Sequence, residues 1–244
     1  MSRKGTKRRV TSGIYWNSGL PAYFTICQFL QYVSFELRYD AFHEKAGQIY
    51  RIPVETYLAN RQREYIDASG PPAMGPALAQ NFPEVAEMVR LHWIYDGAVL
   101  SYKNVRFREE KIYYAEPSFF AIFSFPLAKG ESRTALNEPN SVVLTKSTAR
   151  KYFGNGEAIG KVIQFGGNKN LLVTGVLKDV PANSHLQFSA LISFATLAQT
   201  EKEGLNNWTW YNFFTYQLLK PNADPAAFAV KLPAFIEKYQ GENM

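Results

Sequence analysis

"SVVLTKSTARKYFGNGEAIGKVIQF", residues 141–165, decides between two folds. Its glycines and lysines could form a phosphate-binding loop in a doubly wound nucleotide fold, or they could end a helix and turn the chain. A P-loop needs G-x-x-x-x-G-K-[ST] between a strand and a following helix, so that backbone N–H groups and the helix N-terminus converge on phosphate. Aligned on Gly160 and Lys161, the first position is Asn155 and the last is Val162. The glycines also leave a helix and enter a strand. The dinucleotide pattern fails too, because Gly154, Gly156 and Gly160 are spaced G-x-G-x-x-x-G after a helix. The local chemistry predicts instead a buried strand at Ser141–Leu144, an N-cap at Thr145 and a helix whose Ala149, Tyr152 and Phe153 share one face. Arg150 and Lys151 suit its last turn, and Gly154 suits the left-handed position that ends it. The stretch reads as a structural helix-to-strand connection.

Working outward, "GKVIQFGGNKNLLVTGVLKDVP" (160–181) predicts a hairpin turning at Gly166 and Gly167. "NSHLQFSALISF" (183–194) reads as a strand, with Leu186, Phe188, Ala190 and Ile192 alternating against Gln187, Ser189 and Leu191. "WYNFFTYQLLKP" (210–221) is another aromatic strand, and "ADPAAFAVKLPAFIEKYQ" (223–240) a helix interrupted by Pro233. Towards the N-terminus, "QIYRIPVETYL" (48–58) and "REYIDAS" (63–69) read as two strands about the polar turn at Asn60 and Arg61. "PPAMGPALAQNFPEV" (71–85) is a helix opened by prolines and closed before Pro83. "AEMVRLHWIY" (86–95), "AVLSY" (98–102) and "VRFREEKIYYAE" (105–116) follow as strands, with Val105 and Phe107 opposite Arg106 and Arg108. Short strands mixed with short helices predict an α+β body with sheets that keep one wet face.

The chain has 244 residues, of which 46% are apolar and 15% aromatic, ample for a core. Of the formal charge of +6, five units sit on Arg3, Lys4, Lys7, Arg8 and Arg9, which leaves +1 for everything after residue 9. A body without a basic face argues against nucleic acid as a partner. The single Cys27 excludes an internal disulfide and a multi-cysteine metal site.

From Val10 to Phe35 no residue is charged, directly after the five basic ones. A run of that length can span a bilayer with its basic flank inside. Asn17, Ser18, Pro21, Gln28 and Gln31 interrupt it, so a cleaved signal segment and an amphipathic arm stay open beside a membrane helix. Beyond it, Tyr39, Phe42 and Ala46 continue the helical spacing from Phe35, with Gly47 placed to end the helix.

Few residues offer chemistry. Asp40, His43 and Glu44 are neighbours on one expected helix and read as solvated surface, not a metal site. Ser184 and His185 lack a G-x-S-x-G elbow, and no acidic partner is identifiable in the sequence. His92 lies in an apolar strand and reads as packed. Glu109 and Glu110, adjacent on a strand, point to opposite faces and cannot act as a carboxylate pair. Asn207-Trp208-Thr209 matches a glycosylation sequon, too common a tripeptide to decide anything. No catalytic, cofactor-binding or metal-binding residue is assigned.

"FELRYDAFHEKAGQIYRI" (35–52), the string from Tyr113 to Phe165, "LLVTGVLKDVPANSHLQFSALISF" (171–194) and "WYNFFTYQLLKP" resemble successive signatures of the MacB-like periplasmic core domain. That family is found in ABC transporter permeases of the MacB/FtsX type. The resemblance implies a domain held outside the cytoplasmic membrane, following a first membrane helix within residues 1–46. It implies a porter-like α/β lobe from residues 47–116 and 185–244, with a smaller Sabre-like α+β lobe inserted at 117–184. It further implies no enzymatic activity and no cofactor of its own, an ATP-hydrolysing partner, homodimerisation in a full permease, and coupling of ATP hydrolysis to export. As it stands the chain ends at Met244, before further membrane helices, so alone it would form no transport pathway; a fragment, a truncated product and a partner-dependent remnant remain open. The runner-up expectation is a standalone module binding a peptide, lipid or protein in a cleft between the lobes, which Trp93, Trp208, Trp210 and Tyr211 could line, although core packing is the commoner role for such residues.

Overall fold

A computed structural model describes residues 39–57 and 63–240. The chain divides into two compact units, Met1–Tyr39 and Asp40–Met244. All of the first except Tyr39 lies outside the described residues, and with it the uncharged run and the expected membrane helix. Among the described residues no helix is long and apolar enough to cross a membrane.

The second unit is α+β. It opens with β1 (Ile49–Arg51), β2 (Val54–Tyr57) and β3 (Arg63–Asp67), followed by α1 (Met74–Asn81). Next come β4 (Val85–Trp93), β5 (Ala98–Tyr102), β6 (Val105–Glu109), β7 (Ile112–Ala115), the single turn α2 (Phe119–Ile122) and β8 (Leu127–Gly130). The chain continues through β9 (Ser141–Thr145), α3 (Lys146–Phe153), β10 (Val162–Phe165) and β11 (Lys169–Leu177). It finishes with β12 (Ala190–Ser193), α4 (Phe194–Ala198), β13 (Phe213–Leu219) and α5 (Pro225–Gln240).

One 11-stranded sheet runs in the order β1-β13-β4-β7-β12-β9-β11-β10-β5-β6, with β8 paired to β11, while β2 and β3 form a separate hairpin. The pairs β11–β9 and β12–β7 are parallel and the others antiparallel. At its centre the rungs Ala190↔Leu144, Leu191↔Val143 and Ile192↔Val142 join the two sides. The β5–β6 hairpin reaches β10 through Gln164↔Ser101 and Phe165↔Leu100.

Alternation along the central strands feeds two cores. Val142, Leu144, Ala190 and Ile192 face α3 and α4, packing with Ala149, Tyr152, Phe194 and Leu197. Val143 and Leu191 point the other way, towards Phe119, Ile122, Phe123, Phe125 and Phe188. A third cluster packs α1 and α5 around Met74, Leu78, Phe82, Phe228 and Phe235.

The 141–165 stretch behaves as its chemistry predicts, except that Gly154 does not take the expected left-handed helical conformation. Thr145 Oγ1 accepts from the Thr148 backbone N–H at 3.3 Å, and Arg150 and Lys151 occupy the last turn of α3. Gly154 has φ 63, but its ψ of −127 lies outside the left-handed helical well, in a region open almost only to glycine. Gly166 and Gly167, at φ 61 and 83, turn the β10–β11 hairpin.

Five expectations are corrected. The strand expected at 48–58 breaks at Pro53, which has no N–H to donate, and its halves join different sheets. Its polar turn at Asn60 and Arg61 lies outside the described residues. The string 105–116 is two strands, one at the edge of the sheet and one in the middle. In 183–194 only Ala190–Ser193 is strand, and all four residues are buried because β12 lies between β7 and β9 with both faces covered. The helix expected to run to Gly47 is, in its described part, a series of turns and a 3₁₀ turn at Ala46–Gln48, with Asp40 at φ 56. Finally, α5 continues through Pro233 as one helix.

Candidate functional site

One polar constellation among the described residues joins positions that the sequence keeps far apart. Asp40 adopts its positive φ as the chain enters the second unit, a conformation that a short side chain tolerates better than most. Its N–H donates to the Asn183 carbonyl at 2.9 Å. Its Oδ1 accepts from Ser184 Oγ at 3.1 Å and from the His185 N–H at 3.0 Å, and Oδ2 lies 2.6 Å from His185 Nδ1. On the far side of the ring, His185 Nε2 is 2.7 Å from the Tyr216 hydroxyl on β13.

The proton positions follow from the partners. An ionised carboxylate only accepts, so His185 Nδ1 carries hydrogen towards Asp40. In the neutral ring Nε2 then accepts from the Tyr216 O–H. Burial holds the Tyr216 hydroxyl well above the ordinary tyrosine range, against the opposing influence of nearby Arg51.

His43 sits beside this relay and is 4% exposed. Its Nδ1 accepts from the Ser124 N–H at 3.0 Å, which puts the ring hydrogen on Nε2. Phe42, Phe123 and Phe125 surround the ring, with centroids 4.1, 5.2 and 5.0 Å away. Burial lowers the proton affinity of His43; Asp40 raises it and His185 lowers it further. The Glu44 N–H donates to Ser124 Oγ at 2.9 Å, and Lys45 Nζ to the Ala121 carbonyl at 2.9 Å. Residues 40–45 therefore hold two distant stretches at once, 121–125 and 183–185. A cavity of about 330 Å³ opens here, walled by Asp40, His43, Arg51, Phe123, His185 and Tyr216.

This arrangement does not make a serine nucleophile. The structure supplies the acidic partner of His185 that the sequence hides, but Ser184 Oγ donates to Asp40 rather than to the imidazole, and Ser184 is fully buried. A nucleophile needs its proton aimed at a base and its oxygen open to substrate. Among the described residues no group of three or more His, Cys, Asp or Glu side chains is placed to hold an ion.

The remaining candidates scatter. His92 is packed, with Nδ1 3.1 Å from the Asn212 carbonyl and its ring stacked on Phe213 at 4.7 Å. Glu109 is buried against Lys151 Nζ at 2.7 Å and the Tyr152 hydroxyl at 2.8 Å, whereas Glu110 is exposed. The three tryptophans pack against other rings, the commoner of their two expected roles. Trp208 stacks on Tyr239, Trp210 packs on Phe213 and His92, and Trp93 lies against Tyr95 and Tyr113. At 207–209, Asn207 Oδ1 accepts from the Thr209 N–H and Oγ1, a local turn. Arg51, Ser124 and Tyr216 carry no sequence pattern that marks them; they join the site only because β1, β13 and the turn after α2 meet there.

Residues 28–235 match the family model for the MacB-like periplasmic core domain. A domain assigned to a permease protein from Porphyromonas gingivalis aligns with TM-score 0.69 at 22% identity, covering 81% of this chain and 84% of that one. The periplasmic region of MacB from Actinobacillus actinomycetemcomitans gives 0.59 at 14%, covering 80% and 85%. The extracellular domain of the noncanonic ABC-type transporter YknZ from Gram-positive bacteria gives 0.53 at 14%, covering 79% and 93%. At these identities the likeness is one of fold. No curated protein gives a significant match.

Proposed function

The chain belongs to the family of MacB-like periplasmic core domains of ABC transporter permeases, and from that premise we propose that it passes mechanical work, without catalysis of its own, between a partner's ATP hydrolysis and movement of substrate. In this reading the uncharged run at 10–35 is a helix in the bacterial cytoplasmic membrane, the body stands in the periplasm, and the full permease is a homodimer working with an ATP-binding subunit or domain. The moving parts are a porter-like lobe of residues 47–116 and 185–244 and an inserted lobe of 117–184, with the β5–β6 hairpin tied to the second through β10.

The observation that carries the reading is the grip of residues 40–45 on 121–125 and 183–185. Those two stretches are the ends of the 117–184 segment. A displacement of the chain entering at Asp40 is therefore delivered to both ends together. A rearrangement of this kind needs contacts that differ between its two states, and hydrogen bonds among turns can exchange without disrupting a core.

The test uses the permease carrying this domain, reconstituted with its ATPase in vesicles. Asp40→Ala is expected to leave basal ATP hydrolysis in place and to lower its coupling to transport. A variant that folds normally and transports at the unaltered rate, with unaltered coupled hydrolysis, would remove the mechanical role.

A further inference from the structure

We propose that the outer edge of β6 is a docking site for an extended acidic segment of a partner protein, which joins the sheet as a further antiparallel strand. The site depends on β6 and its neighbours alone and stands whether or not the domain transmits work.

β6 ends the sheet order, so one of its sides pairs with β5 and the other faces no strand among the described residues. The Val99 carbonyl accepts from the Gly166 N–H at 3.0 Å, which turns the backbone of Val99 and Ser101 towards β10. Backbone groups alternate in direction along a strand, so Leu100 and Tyr102 turn towards β6, opposite Phe107 and Val105. The N–H and C=O groups of Arg106 and Arg108 are therefore the ones aimed outward. The β5–β6 register runs through five pairs without a bulge, and β6 holds no proline. The opposite border of the sheet is blunter: β1 has three residues, and Pro53 follows two positions later.

Side chains give this edge its sign. From Lys103 to Arg108 the chain carries three positive charges and no negative one. Arg106 and Arg108 are exposed and share one face of the sheet. The Arg108 guanidinium donates to the Asp96 carbonyl, a neutral acceptor that leaves its charge unbalanced. Neither arginine lies within ion-pair distance of a carboxylate among the described residues. Glu109 is buried and engaged by Lys151 and the Tyr152 hydroxyl, and Glu110 lies past the end of the strand. On the other face, Phe107 is 43% exposed and meets Tyr152 edge-on at 5.9 Å.

Charged side chains guard an edge strand against pairing with its own copy. Two β6 strands paired antiparallel about Phe107 would set Arg106 of one opposite Arg108 of the other, which like-charge repulsion disfavours. An acidic strand meets the same two charges as partners. Glutamate or aspartate at alternate positions reaches both arginines, an apolar residue between them covers Phe107, and the ladder supplies the main-chain bonds.

The test is titration of the full chain with the peptide acetyl-Thr-Glu-Val-Glu-Val-Glu-Thr-amide up to about 5 mM, read by amide hydrogen exchange. Half-saturation is expected below about 1 mM, with exchange slowed at the Arg106 and Arg108 amides. The same peptide with lysine for each glutamate should bind about tenfold or more weakly, and Arg106→Glu should reverse that preference. Arg106 is exposed, so its replacement should leave the melting temperature unchanged, and the peptide arms decide the matter without it. In antiparallel pairing the glutamate amides face the edge, so N-methylating them abolishes binding while N-methylating the valines spares it. A lack of saturation, equal binding of the two peptides, or indifference to which amides are methylated overturns the proposal. So does protection of Arg106 and Arg108 that grows with chain concentration without peptide, which would assign the edge to a second copy.

Discussion

Replacing Glu116 by alanine is expected to destabilise the chain by about 3–5 kcal/mol, the range for removing one partner of a buried ion pair. Glu116 accepts three hydrogen bonds from Arg90: from the backbone N–H at 2.8 Å, from Nε at 3.1 Å and from Nη2 at 2.6 Å. The two side chains are 10% and 12% exposed, so water cannot stand in for the lost oxygens. Arg90 would keep only the Pro72 carbonyl at 2.7 Å and the face of Phe194 at 4.5 Å. The backbone bond adds a specific twist. The β4–β7 ladder begins at Leu91↔Ala115, and the Glu116 carboxylate serves the N–H one residue beyond it. Removing both charges with Arg90→Met and Glu116→Leu therefore still leaves one buried N–H unpaired, at a cost of about 1–3 kcal/mol. The double variant should be more stable than Glu116→Ala and well short of the sum of the single losses. Urea unfolding followed by far-UV circular dichroism, with an unchanged slope, gives all the values needed for the cycle. A Glu116→Ala loss below about 1 kcal/mol, or a double variant equal to the sum of its singles, would refute the idea that this pair acts as one buried unit.

Thr145→Ala removes the cap of α3 and should cost about 1 kcal/mol by the same unfolding assay, with Thr145→Ser retaining most of it. His43 and His92 are both held below the reference value of 6.5, chiefly by burial, so the unfolded chain takes up protons first. Their contribution is complete above that reference value and declines as the pH falls below it, which a series of melting curves from about pH 8 to pH 5 should show. Tyr113, Tyr114, Tyr152 and Tyr216 are shifted the opposite way, above 10.0, again mainly by burial. Stability from these four is complete below that value and is lost as the pH rises beyond it. Ultraviolet titration should find them ionising together with unfolding, and early ionisation of all four in the folded chain would contradict their burial.

Local chemistry was readable where a residue acts on its own neighbours. Thr145, Gly154, Gly166 and Gly167 declare a cap, a stop and a turn within a few positions, and the structure places each of them so. The layered α+β class followed from alternation in strings such as 86–95. What escaped was anything set by the place of a strand in the sheet. By parity Leu191 falls on the side of Gln187 and Ser189, yet β12 is central and both its faces are covered. Pro53 lies within a single expected strand, although its missing donor separates two. The site is hidden in the sequence: Asp40 and His43 read as solvated surface and His185 as lacking an acidic partner, because nothing local links Asp40 to a turn at 183–185 or buries the His43 ring. Arg90 and Glu116 likewise lie in different elements and reveal their partnership only once β4 and β7 are paired.

The position of β13 between β1 and β4 dictates the order in which this polypeptide can mature. The β5–β6 and β10–β11 hairpins close between neighbours and can form as soon as they are made. By contrast, Ile49 waits for Leu218 and His92 for Phe213. A chain delivered amino end first thus carries open strand borders at β1 and β4 until residues 213–219 arrive, and closing such distant partners is slow. During that interval the nascent domain is a natural client for holding chaperones, and a translational pause placed before β13 should lengthen its exposure to aggregation.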